Sequence, residues 1–185
     1  ATTAFNYHPH RFRGDAKRKG LNWRTNLYYM ETCNRGETWQ SAAGTELQTP
    51  LTDPQNAALV HDFESKGKLV YMKDIQLDAE GRPHILFLTA NGYVSGPASG
   101  PRQWQLARWS GERWQLSTIT TSDNTYDMGS LYREAGARLR VIAPTETGPQ
   151  AFNPGGEIAI WESGDVGQSW HKTRQLTMRS PHNHG

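Results

Sequence analysis

Seven histidines are unevenly spread along the chain, and four of them fall in two pairs. Tyr7-His8-Pro9-His10-Arg11 holds one pair and Pro181-His182-Asn183-His184 the other. Imidazole gains and loses a proton near neutral pH, so either pair could abstract or donate one. Arg11, Arg13 and Arg24 surround the first pair. A guanidinium grips a carboxylate through two parallel hydrogen bonds. Tyr126 and Asp127 stand ahead of a strand-like run, where a phenol can act as acid or base. Taken together, these residue types suit removal of a proton beside a carboxylate. His8, His10, Tyr126 and His184 are the catalytic candidates. Arg11, Arg13, Arg24, Asp127, His182 and Asn183 are the substrate-binding candidates. Plainer readings compete with each. The paired histidines could be surface residues of polar loops. The arginines could belong to the charged stretch Asp15-Ala16-Lys17-Arg18-Lys19. Asp123 and Asn124 could bond their own backbone in a turn, with Tyr126 packed beside it. A His-x-His pair can share zinc, but no third ligand follows from the spacing. No cofactor is therefore expected, and structural calcium or zinc is not indicated.

Something must hold these loops in place, and the sequence offers strands rather than helices. Helical periodicity is nearly absent. Short alternating apolar runs separated by turn residues predict an all-β protein. The expected strands are 26–32, 69–77, 84–89, 104–109, 114–120, 129–134, 139–143, 157–162 and 169–176. Asp78-Ala79-Glu80-Gly81, Ser110-Gly111-Glu112 and Glu134-Ala135-Gly136 read as tight turns, with glycine where a positive φ is needed. The long segments 93–101 and 148–156 read as loops that could wall a binding site or simply connect strands.

Two of the turns repeat a pattern. Thr32-Cys33-Asn34-Arg35-Gly36-Glu37-Thr38-Trp39 and Ser163-Gly164-Asp165-Val166-Gly167-Gln168-Ser169-Trp170 share a hydroxyl, an Asn or Asp, a Gly, a second hydroxyl and a Trp at equal spacing. Arg108–Trp114 is a shorter relative that keeps the turn glycine and the final Trp. The expectation for Asn34, Gly36 and Trp39, and for Asp165, Gly167 and Trp170, is structural. The Asn or Asp accepts from turn amides, the Gly is left-handed, and the Trp packs between layers. Recurrence of this kind suggests propeller blades of four strands.

The composition narrows the classes further. The chain has 185 residues, 35% hydrophobic and 10% aromatic, with mean hydropathy −0.78. Seven Trp and seven Tyr argue against disorder. A net charge of +2 and the absence of a basic motif argue against nucleic acid. No apolar run is long enough to span a bilayer, so no membrane partner is expected. Cys33 is the only cysteine, which excludes an internal disulfide.

The repeated turns resemble the Asp-box, or BNR repeat, of sialidase-like β-propellers. Arg24-Thr25-Asn26-Leu27-Tyr28-Tyr29-Met30, Tyr126-Asp127-Met128-Gly129-Ser130-Leu131-Tyr132 and Ile142-Ala143-Pro144-Thr145-Glu146 extend the likeness to the group of ulvan lyases and related rhamnose-uronate lyases and hydrolases. The resemblance implies a single partial β-propeller domain over residues 1–185. It would comprise about three four-stranded antiparallel blades from a six- or seven-bladed ring. The missing blades would come from the rest of a longer chain or from a partner chain. It also implies a secreted or periplasmic protein acting on an acidic, uronate-containing polysaccharide or oligosaccharide by β-elimination. A carbohydrate lyase of this kind needs no paired catalytic carboxylates, and none stand out. Two alternatives stay open. One is an exo-acting glycoside hydrolase of sialidase or rhamnosidase type, of whose arginine motif only Phe12-Arg13-Gly14 remains. The other is a non-catalytic glycan-binding propeller, which would have no need of the histidines.

Overall fold

The structure, a computed structural model, describes residues 1–8 and 22–185. His10, Arg11 and Arg13 lie outside the described residues. Thirteen strands form three antiparallel sheets, and the only helical element among the described residues is a single turn of 3-10 helix at Pro97–Ser99. The first sheet holds β1 (Thr2–Tyr7), β2 (Thr25–Glu31), β3 (Trp39–Gln40) and β4 (Glu46–Leu47) in that order, with β5 (Leu59–His61) also beside β2. The second is β6 (Leu69–Leu77), β7 (Pro83–Ala90), β8 (Arg102–Trp109) and β9 (Trp114–Ser122). The third is β10 (Ser130–Arg133), β11 (Leu139–Glu146), β12 (Glu157–Ser163) and β13 (His171–Gln175). The second and third sheets are four-stranded antiparallel blades of the kind expected from the sequence. The first departs from a regular blade by having five strands. Strands β3 and β4 are two residues each, too short to show any alternation, and β1 and β5 were not foreseen either.

Alternation along β7 explains why the sheets stack. Successive side chains of a strand point to opposite faces. Leu86, Leu88 and Ala90 therefore meet Leu131, Leu139, Val141 and Ala143 of the third sheet, around the fully buried Trp104. Ile85 and Phe87 turn the other way, onto Leu27, Tyr29, Val60 and Phe63 of the first-sheet region. The second sheet is thus covered on both faces, and β7 reads as a continuous apolar run. At the far edge, β13 is exposed over His171–Arg174 and carries His, Lys and Arg, the polar dress expected of a strand edge.

The two repeated turns share their principal bonds. In the first, Asn34 Oδ1 accepts from Thr38 N at 3.0 Å, and Thr32 Oγ1 accepts from Gly36 N at 2.9 Å. In the second, Asp165 Oδ1 accepts from Ser169 N at 2.9 Å, and Ser163 Oγ accepts from Gly167 N at 2.8 Å. Four donors converging on the Asp165 carboxylate stabilise its charged form and hold its pKa well below the usual range. The left-handed turn spans two residues in each copy, Arg35 with Gly36 and Val166 with Gly167, one more than the sequence pattern signals. Trp170 Nε1 donates to Gly167 O at 3.2 Å and to Ser117 Oγ at 3.3 Å, pinning the third sheet to the second. A Cβ on Gly167 would stand 2.4 Å from Leu106 Cδ2, at a φ of +83°. Gly167→Ala is therefore expected to destabilise the fold by about 2–4 kcal/mol, from left-handed strain plus overpacking. Denaturant unfolding of the variant checks this; an unchanged midpoint would contradict it.

Candidate active site

Because the strands alternate in direction, their connections gather at two opposite ends of the sheets. The segments 32–38, 78–82, 110–113, 134–138 and 164–170 lie at one end. The segments 62–68, 91–101, 123–129 and 147–156 lie at the other, together with His8, residues 22–24 and the tail after β13. His8, Arg24, Tyr126, Asp127 and His184 all fall at this second end.

Here side chains of three sheets meet. Tyr7 pairs with Thr25 at the ends of β1 and β2, so His8 and Arg24 lie just beyond that pair, on neighbouring strands. Arg24 O accepts from Val70 N at 2.9 Å, which fixes the start of β2 against β6. The Arg24 guanidinium sits 5.8 Å from the centre of the Tyr71 ring. Its buried Nε has no hydrogen-bond partner, and no carboxylate of the described residues pairs with it. A stacked cation with unused donors is the form in which arginine receives a planar carboxylate. Tyr71 meets Tyr126 edge-on, with ring centroids 6.3 Å apart. Both phenols reach Asn22: Tyr71 OH donates to its carbonyl at 2.9 Å, and Tyr126 OH to its Oδ1 at 2.6 Å. Burial and the neighbouring Tyr126 hold the Tyr71 phenol well above its ordinary pKa, so it stays protonated. Tyr126 is 41% exposed and open to a ligand.

The loop that presents Tyr126 is built by its neighbours. Asn124 Oδ1 accepts from Tyr126 N at 2.9 Å, as the turn reading of the sequence has it. Asp123 instead reaches across to Phe152 N at 2.8 Å. Asp127, expected at the substrate, is fully buried. Its two oxygens accept from Gly155 N at 2.8 Å and Asn124 N at 3.2 Å, and it ties the loop to segment 147–156. Burial raises its pKa to about 6. The folded state therefore prefers the protonated carboxyl, and stability falls as pH rises from the unfolded value near 3.8 to about 6. The stability of the protein relative to Asp127→Asn is expected to drop by about 2–3 kcal/mol across that window. Unfolding at its two ends measures this, and a flat difference would contradict it.

The tail candidates divide. Asn183 is spent on the same loop: its Oδ1 accepts from Gln150 N at 3.1 Å, and its Nδ2 donates to Gln150 O at 2.9 Å and Gly155 O at 3.1 Å. His184 pairs with Gly156 through its backbone, and its Nε2 lies 2.9 Å from Ser180 Oγ. These bonds strap the tail to the loop rather than aim it at the tyrosines. His182 is exposed. His8 is also exposed and lines a cavity of about 250 Å³ with Tyr7, Tyr28 and Pro54. Among the described residues no group of three His, Cys, Asp or Glu side chains is placed to hold a metal ion. Asn22, Tyr71 and Lys73 escaped the sequence reading. Adjacent charges, Lys73 and Asp74, interrupt an otherwise apolar inner strand, and that interruption was the available signal.

Stacked antiparallel sheets with repeated turns at one end and convergent polar loops at the other define an arc of a β-propeller. Residues 14–122 match the model of a BNR repeat-containing family member, and the chain belongs to that family. It is 27% identical over 180 residues to an ulvan lyase of Nonlabens ulvanivorans, covering 95% of this chain and 36% of that protein. Its fold is similar to that of a solved ulvan lyase from a new family of polysaccharide lyase, bound to -[GlcA(1-4)Rha3S]-. The TM-score is 0.70 at 19% identity, over 95% of this chain and 39% of the other. A second ulvan lyase structure gives a TM-score of 0.68 with the same coverage. The chain therefore spans little more than a third of these relatives.

Proposed function

We propose that this chain supplies one wall of the active site of a polysaccharide lyase that cleaves a uronate-containing glycan by β-elimination. The observation that carries the reading is the cluster of Arg24 on Tyr71 against the exposed Tyr126. Arg24 receives the uronate carboxylate and stabilises the negative charge that spreads onto it as C5 loses its proton. His8, beyond the paired end of β1, takes that proton. The C5–H electron pair forms the C4–C5 double bond, and the C4–O bond breaks. Tyr126 donates its proton to the departing oxygen, and Asn22 Oδ1 orients the phenol beforehand. Tyr71 stays neutral and supports both the guanidinium and Tyr126. The likeness to ulvan lyases supports the substrate class.

Mass analysis of the products made by the full-length protein tests the reaction. Elimination leaves one fragment lacking a water relative to the hydrolysis product. Fragments that all carry the added water would reject the lyase reading.

A further inference from the structure

Lys73 is the unforeseen residue of the cluster. The register of β6 against β7 runs Met72 to Phe87 and then Asp74 to Leu86, so Lys73 is the extra residue of a β-bulge. A bulge re-aims a side chain that regular pleating would send elsewhere. Here it sends the ammonium across to the Tyr126 loop, where it donates to Thr125 O at 2.8 Å and lies 4.0 Å from Met128 Sδ. An ammonium has three donors, and these contacts satisfy one well and one weakly. Lys73 also lines a cavity of about 350 Å³ with Met128, Gly129, Ser130 and Pro144. Of the charged and titratable groups, Asp127 and Arg24 act on it electrostatically and Asp74 lines the same cavity. Asp74 Oδ2 already accepts from Leu131 N, both Asp127 oxygens are engaged by amides, and among the described residues no carboxylate forms an ion pair with Lys73.

We propose that Lys73 is a second anion-binding residue of this site, holding a negatively charged substituent on a sugar adjacent to the one whose carboxylate Arg24 receives. The adjacency to Arg24's sugar rests on the lyase reading; the anion site itself rests on the bulge, the spare donor and the cavity. Two fixed cations then favour a polyanionic glycan over one with isolated charges. Burial and the nearby Arg24 pull the Lys73 pKa down to about 8, against the attraction of Asp127. A bound anion would restore the charge.

Calorimetric titration of the full-length protein with uronate oligosaccharides, sulfated and desulfated, tests this. Lys73→Met is expected to weaken binding by about 10- to 100-fold, the range for a lost charged hydrogen bond. Weakening confined to the sulfated ligand identifies a sulfate ester as the anion; equal weakening of both identifies a neighbouring carboxylate. Lys73→Arg, which stays charged, should keep the affinity and abolish its decline between about pH 7 and pH 9. A purely structural Lys73 would leave that decline in place in the Arg variant. Unchanged affinity of a folded Lys73→Met for both ligands, or an undiminished pH dependence in Lys73→Arg, overturns the proposal. If the wild-type protein binds but forms no unsaturated product, the lyase reading fails while the anion site stands.

Discussion

Arg24→Ala in the full-length protein is expected to lower kcat/KM by about 10²–10³-fold, the cost of removing one preorganised group from a developing negative charge. Most of the loss should fall on kcat. The carboxylate carries one charge in the ground state and gains electron density as C5 is deprotonated, so the guanidinium binds the transition state more tightly than the substrate. Arg24→Lys should recover only part of the activity, because a point charge cannot make the paired bonds of the planar fork. Folding should survive both changes, since the bond from Val70 N reaches the Arg24 carbonyl rather than its side chain. Steady-state kinetics with a thermal-unfolding control checks this. A folded Arg24→Ala enzyme with unchanged kcat would remove Arg24 from the chemistry.

Tyr126→Phe is expected to cost about 10²–10⁴-fold in turnover, the usual range for a positioned acid. Only the hydroxyl is removed, and the edge-on contact with Tyr71 is retained. The ring is half-exposed and its hydroxyl bonds a single side-chain oxygen, so stability should barely move. A substrate bearing a better leaving group at C4 should regain much of the lost rate, because less protonation of the departing oxygen is then needed. Equal losses on both substrates would mean that Tyr126 does something other than donate that proton.

The scaffold was legible in the sequence because its signals are local. The short apolar runs of β6 to β12, bounded by turn residues, and the two turns ending at Trp39 and Trp170 each lie within a few consecutive residues. What escaped depends on register and on long-range contact. Strands β3 and β4 are too short for alternation. Asp127 looked like a site residue beside Tyr126, but its oxygens meet Asn124 in the same turn and Gly155 much further along the chain. Asn183 looked free in a terminal run and is spent on segment 147–156. Arg24 and Tyr126 could be named from residue type and setting. Their meeting through Tyr71 and Asn22 depends on how the first two sheets stack. Lys73 was hidden by a bulge, which no count of alternating residues reveals.

The most direct test of the account follows a uronate polysaccharide incubated with the full-length protein, with ultraviolet absorbance and new reducing ends measured in the same sample. Elimination at the Arg24–Tyr126 site predicts one C4–C5 double bond for every new reducing end, with both signals falling together in Arg24→Ala. Reducing ends released without any rise in absorbance would show hydrolysis, and would contradict the assignment of this site to a lyase.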